Sequence, residues 1–314
     1  MDIFLKTFES VALLLGIGLV GFYVIRRDMI PAKVLSTLSP LALEIALPSM
    51  IFIDILTDFT PEKYPDWWQM PLWWFLFTLI AAILTFIFHF ISKKHNKNEF
   101  AISLFYQNGI FFPLAILTGM FGLASSYHIA LFLFTIFYPA FFFSSYSYFF
   151  PGKSKQQIDL KKILHPVFIA TVLAIMLEYL GLKSYVPAVV RNIFKMLGAM
   201  TLPLLMIILG GNIYSDFKKQ GKIEYIEILK FVGVKNIVFP LIFLSLLIIF
   251  KNYISYNVAI IILLQAAVPP VTAVPLVTER MGGNRAIVSQ FMVGSFIVSL
   301  ITIPLMIFLF DTLY

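Results

Sequence analysis

The stretch from Ala259 to Pro270 is apolar enough to belong to a membrane span, yet it carries adjacent prolines, Pro269 and Pro270, and a glutamine, Gln265, just before them. An earlier stretch reads the same way, with Ala101 and Ile102 leading through Gln107, Asn108 and Gly109 to Pro113. A proline in a helix interior removes a backbone hydrogen bond and collides with the preceding turn. Each of these spans is therefore expected to be two half-helices meeting inside the bilayer. Lipid tolerates the freed amides and carbonyls only where protein or a polar cavity satisfies them. The fold must bring both regions into such an interior.

The membrane reading follows from the rest of the chain. Its 314 residues are 60% hydrophobic and 12% charged, with 34 Phe and a mean hydropathy of +0.93. A soluble domain needs a far more charged surface. At roughly 20 apolar residues per crossing, spans are expected near 7–25, 34–56, 70–91, 99–122, 125–149, 160–180, 187–211, 226–250, 254–278 and 286–310. The first lacks a basic start and a small-residue cleavage site, so it reads as a retained span. Cysteine is absent, which excludes disulfides and thiolate metal sites.

Ten crossings leave both termini on one side. Arg26, Arg27 and Lys33 share a face with Lys93, Lys94 and Lys97, with Lys153, Lys155, Lys161 and Lys162, with Lys218, Lys219 and Lys222, and with Arg280 and Arg285. The opposite face carries Asp58, Glu62 and Asp66 against Lys63, then only Lys183, Arg191, Lys195 and Lys251. The bias puts the basic loops in the cytoplasm and both termini outside the cell membrane. The net charge of +7 is then largely topological, and no nucleic-acid partner is needed to explain it. Trp67, Trp68, Trp73 and Trp74 gather at one interface, where an indole's apolar body and polar nitrogen make it an anchor.

Two landmarks give an internal repeat. Ala46–Leu47–Pro48 in the second span matches Thr201–Leu202–Pro203 in the seventh at an offset of 155 residues, and Gln107 matches Gln265 at 158. A five-span duplication, residues 1–150 and 151–314, follows from this. Because five is odd, the second copy enters the membrane in the opposite sense, and paired interruptions in inverted halves point to a transporter's binding site. Half-helix N-termini there offer unpaired N–H groups and partial positive charge, which can hold an organic carboxylate. Opposed C-terminal carbonyls offer a place for a cation.

These motifs resemble the auxin efflux carrier family of membrane permeases. The resemblance runs from Gly18–Leu19–Val20–Gly21 with Arg26 and Arg27, through Leu41–Ala42–Leu43–Glu44–Ile45–Ala46–Leu47–Pro48, to Asn108–Gly109–Ile110–Phe111–Phe112–Pro113. It continues through Leu202–Pro203, Leu209–Gly210, Ala266–Ala267–Val268–Pro269–Pro270 and Glu279–Arg280–Met281–Gly282–Gly283. The resemblance implies an all-α protein of ten spans in two inverted repeats, with broken crossing helices 4 and 9. It also implies a scaffold of spans 1, 2, 6 and 7, a transport domain of spans 3–5 and 8–10, elevator-like movement and a homodimer. The long soluble central loop of the longer plant exporters is missing, so their substrate is not carried over. By position, Asn108 and Pro113 look like the family's break in the fourth span, and Pro269 and Pro270 like that in the ninth.

The expected substrate site is thus Gln107, Asn108, Pro113, Gln265, Pro269 and Pro270, with the glutamines serving either ligand or broken backbone. Glu44, one turn before Pro48, has three readings: a paired structural carboxylate, a proton or cation coupling site, or a helix-end residue. Lys235 either snorkels to the cytoplasmic interface or helps attract an anion. His89, His95, His128 and His165 are too scattered for a metal cluster. No metal or cofactor is expected, and neither a Walker motif nor a catalytic constellation stands out. The resulting expectation is a secondary transporter of a small organic anion, running as an efflux carrier. A sodium-coupled importer is the alternative, and a transporter-like sensor with the same cavity is a third reading.

Overall fold

The computed structural model describes residues 2–122, 126–150, 165–218 and 223–314, and among them every regular element is helical. In chain order these are α1 (Asp2–Arg26), α2 (Val34–Pro40), α3 (Leu47–Asp58), α4 (Met70–Phe88), α5 (Lys97–Phe105), α6 (Phe111–Phe121), α7 (Ser126–Phe134) and α8 (Tyr138–Ser145). There follow α9 (Pro166–Tyr179), α10 (Ala188–Ala199), α11 (Thr201–Lys218), α12 (Tyr225–Val232), α13 (Phe239–Ile249), α14 (Tyr256–Ala267), α15 (Val274–Arg280) and α16 (Arg285–Leu313). The join between the expected halves, with Lys153, Lys155, Lys161 and Lys162, lies outside the described residues, as do Lys219 and Lys222.

Among the described residues seven helical runs are long and apolar enough to cross a membrane: Ile3–Arg26, Val34–Asp58, Trp67–Ile91, Ser126–Phe149, Ala188–Ser215, Tyr225–Ile249 and Arg285–Leu313. They coincide with seven of the ten expected spans, and they suffice for a multi-pass membrane protein. Phe111–Phe121, Pro166–Tyr179 and Tyr256–Ala267 are apolar but shorter. Twelve residues of α14 rise only about 18 Å, short of a hydrocarbon core of about 30 Å. Large apolar side chains such as Leu13, Leu19, Phe75 and Phe86 point outward, as expected of a surface whose solvent is lipid rather than water.

Two of the long runs contain a π-helical turn, Leu41–Ala46 and Gly233–Val238. Both turns have the same cause. Pro48 and Pro240 have no N–H, and their rings press on the carbonyls four residues back, those of Glu44 and Asn236. The chain widens rather than breaks, and the N–H groups of Leu47 and Phe239 reach back five residues, to the carbonyls of Ala42 and Val234.

Helix packing is set by small residues. α1 lies along α11 so closely that a Cβ on Gly210 would come within 1.7 Å of the Gly18 carbonyl oxygen, and one on Gly21 within 2.1 Å of the Ile207 carbonyl oxygen. Close backbone approach of this kind replaces the hydrophobic drive that lipid removes. α3 packs against α9 and α10, and α16 against α12, α14 and α1. A polar clasp ties the turn after α4 to α12. The buried Glu227 carboxylate accepts from Ser92 Oγ at 2.8 Å, the Lys93 amide at 3.1 Å and Lys230 Nζ at 2.9 Å, and Lys93 Nζ donates to Glu224 at 2.7 Å. That last bond lifts the Lys93 ammonium above its ordinary pKa.

Candidate functional site

The helical path stops after Phe105 and resumes at Phe111, and it stops again after Ala267 and resumes at Val274. The two non-helical segments lie against each other as a short antiparallel bridge between Gln107 and Pro270. The Asn108 amide donates to the Pro269 carbonyl at 2.7 Å, and the Val271 amide donates to the Tyr106 carbonyl at 2.9 Å. Pro269 and Pro270 cannot donate, so α14 cannot continue through them, and Pro269 serves as acceptor only.

Side chains serve the rest of the exposed backbone. Gln265 Nε2 donates to the Gly109 carbonyl at 2.6 Å, Tyr138 Oη donates to the Gln107 carbonyl, and Gln107 Nε2 donates to Gln265 Oε1 at 3.3 Å. The two glutamines singled out by the repeat therefore touch, and both are buried. Their hydrogen bonds go to each other and to broken backbone. A Cβ at position 109 would lie 2.4 Å from Gln265 Oε1, so a side chain there would push Gln265 off its hydrogen bonds.

Asn108 is different. It is 1% exposed, and neither its Oδ1 nor its Nδ2 has a hydrogen-bond partner among the described residues. It lines a cavity of about 110 Å³ together with Gly109, Ile110, Phe111, Tyr138, Phe142, His165, Val271 and Thr272, with Leu43 and Leu47 closing the side toward the π-helical turn. Ile110 is the N-cap of α6 and supplies no capping side chain. The N-terminus of an 11-residue helix thus opens beside an unpartnered carboxamide, a combination suited to an anionic oxygen. A larger cavity of about 340 Å³ between α4, α13 and α14 is lined by aliphatic and aromatic side chains and offers no group for a charge.

Two comparisons with known proteins bear on identity. The family described as membrane transport protein, which is auxin efflux carrier-like, matches residues 6–307. The chain belongs to this family. An uncharacterized transporter of Methanocaldococcus jannaschii is 25% identical over 220 residues, covering 68% of this chain and 71% of that one.

Within this membrane transport protein the other expected site residues fall as follows. Pro113 sits in the first turn of α6, buried and away from the cavity lining, and the prolines at 269 and 270 shape the cavity through their neighbours Val271 and Thr272. Glu44 is exposed in the middle of the Val34–Asp58 run, so the helix-end reading falls. Its neighbour Leu43 lines the cavity.

Lys235 does not snorkel. It is 1% exposed, its Nζ donates to the Ala266 carbonyl at 3.3 Å, and it lies 4.9 Å from the centre of the Phe239 ring. The π-helical turn carries it inward to the last turn of α14, where the dipole's negative end favours a cation. It does not line the cavity. Sequence reasoning missed His165 and Tyr138 as cavity residues. It also missed Asp54, whose carboxylate lies 3.8 Å from His128 Nδ1. Nothing in the local pattern joins residues from α3 and α7, although an acidic residue in an apolar span was a signal of its own.

Proposed function

We propose that this chain is a secondary transporter of a small organic anion, working as an efflux carrier by elevator-like alternating access. The observation that carries the proposal is the buried Asn108 carboxamide, unpartnered at both atoms, on a cavity that also receives the N-terminus of α6. A buried polar group without a partner costs about 1–3 kcal/mol, and a ligand that bonds to it recovers that cost. A carboxylate bonds to the Asn108 amide and the α6 N–H groups, while its apolar body meets Leu43, Leu47, Phe111 and Phe142.

In this reading the α5–α6 and α14–α15 pairs are the broken fourth and ninth spans of two inverted repeats, residues 1–150 and 151–314. Spans 1, 2, 6 and 7 form the scaffold, and spans 3–5 and 8–10 carry the ligand. Both termini face outward from the cell membrane, and the protein pairs as a homodimer. The cavity supports the division, because Leu43 and Leu47 come from the second span and His165 and Val167 from the sixth, while the remaining wall comes from the fourth, fifth and ninth. Lys235, though outside the lining, brings its amino group behind α14. It also ranks the sodium-coupled importer second, since the Ala266 carbonyl at that helix end already accepts from Lys235 Nζ.

The test is a screen of carboxylates for binding to purified protein, followed by flux in sealed vesicles under imposed sodium, proton and potential gradients. Saturable anion flux without sodium supports the proposal. Flux that requires sodium selects the importer, and saturable binding without flux selects a sensor.

A further inference from the structure

His128 on α7 is 1% exposed, and it is held between two helices. On one side Thr118 Oγ1 of α6 lies 3.0 Å from Nε2, and on the other Asp54 Oδ2 of α3 lies 3.8 Å from Nδ1. The Thr118 hydroxyl has one hydrogen, which goes to the Leu114 carbonyl at 2.7 Å. Thr118 can therefore only accept from His128, which places a proton on Nε2. In the neutral ring Nδ1 is then an acceptor, and it faces a carboxylate oxygen that has no hydrogen-bond donor among the described residues. An imidazole nitrogen and a carboxylate oxygen thus face each other at 3.8 Å.

We propose that Asp54 and His128 form a proton-binding site that joins α3 to the α6–α7 pair. One proton from water adds between Nδ1 and Oδ2 and no bond breaks. The product is an imidazolium against a carboxylate, or a neutral Asp54 hydroxyl donating to the ring, and the proton belongs to the pair. Either form gives the facing pair a hydrogen to share, and the imidazolium–carboxylate form is charge-assisted in a low-dielectric setting. Asp54 is 23% exposed at its side chain and gives the proton its access.

The neighbouring titratable and charged groups are few. Asp58 follows one turn later on α3, Tyr127 precedes His128 on α7, and Tyr256 stands on α14. Glu178 on α9 is paired with Lys183 at 3.3 Å, α10 carries the exposed Arg191 and Lys195, and α4 and α6 bring none. The proposal rests on the elevator reading for its consequence, because there α3 belongs to the scaffold while α6 and α7 move. A proton at this seam clamps the two bodies. α6 also links the seam to the anion cavity, with Phe111 at the cavity and Thr118 about 10 Å further along the same helix.

The chain lacks cysteine, so spin labels go on cleanly at Thr57→Cys and Phe137→Cys, both exposed and outside the cavity lining. The distance distribution between them is measured on full-length protein in nanodiscs from about pH 5 to about pH 8, the range in which imidazole charge changes. The wild-type background is expected to shift the ratio of two distances, by at most about tenfold per pH unit for one linked proton. D54N and D54L are each expected to hold one ratio throughout, and E62Q, at the exposed Glu62 after α3, to follow the wild type. A pH response in D54N and D54L equal to that of the wild type overturns the site. Labels that respond to pH in a protein that moves no anion in vesicles leave the proton site standing and overturn the transport reading instead.

Discussion

Replacing Gln265 and replacing Asn108 should have opposite signatures, although both are buried amides at the same pair of helix interruptions. Gln265→Leu removes the donor to the Gly109 carbonyl at 2.6 Å and the acceptor for Gln107 Nε2 at 3.3 Å. A buried group left unsatisfied costs about 1–3 kcal/mol, while interhelical hydrogen bonds in membranes average only about 0.6 kcal/mol. The Gly109 carbonyl is backbone and cannot turn away, whereas Gln107 can find another rotamer. The expected loss is therefore about 1–3 kcal/mol, nearly all of it from position 109. Asn108→Leu removes a side chain with no partner at either atom, so folding stability should hold or rise. Ligand affinity should fall by about 1–3 kcal/mol, which is about 5-fold to 150-fold in Kd. Thermal unfolding in nanodiscs reads the first quantity and an isotherm with the best carboxylate from a screen reads the second. An Asn108→Leu protein destabilised as much as Gln265→Leu, with unchanged affinity, would refute this division of labour.

Other outcomes follow from the packing and the charge pattern. Gly210→Ala should cost at least about 1–3 kcal/mol of thermal stability by overpacking, because its Cβ would meet the Gly18 carbonyl oxygen at 1.7 Å and both partners are backbone; a neutral result would contradict the close α1–α11 seam. Glu44→Gln keeps the shape and removes the charge, so pH-dependent flux should flatten if Glu44 couples transport to protons, and an unchanged profile leaves it structural. Single cysteines at Glu62 should react with an impermeant reagent from outside the cell, and those at Lys94, Lys155 and Lys219 only from inside. Reversed labelling would invert the topology.

The interruptions were legible because proline announces itself. Pro113, Pro269 and Pro270 each remove a backbone donor beside a break in the helical path, and the 158-residue offset between Gln107 and Gln265 became a direct hydrogen bond. The roles of those glutamines were open in sequence, since a ligand and a broken backbone ask for the same donor and acceptor. Pro48 and Pro240 gave the same local signal yet only widened their helices, because one π-helical turn absorbs a single missing N–H. That widening turns Lys235 inward, which a span drawn as an even helix does not anticipate. The Asp54–His128 contact joins α3 to α7 and no periodicity predicts it. The exposed Glu44 looked the more unusual carboxylate only because its neighbours in sequence are apolar.

The central claim is that the Asn108-lined cavity binds the anion that the protein moves. It is tested most directly by flux of a screened carboxylate into and out of sealed proteoliposomes, comparing wild type with Asn108→Leu at matched folded content. The account predicts saturable, sodium-independent flux in wild type and loss of most of it in Asn108→Leu. Equal flux in the two proteins, or tight binding with no flux in either, would contradict it.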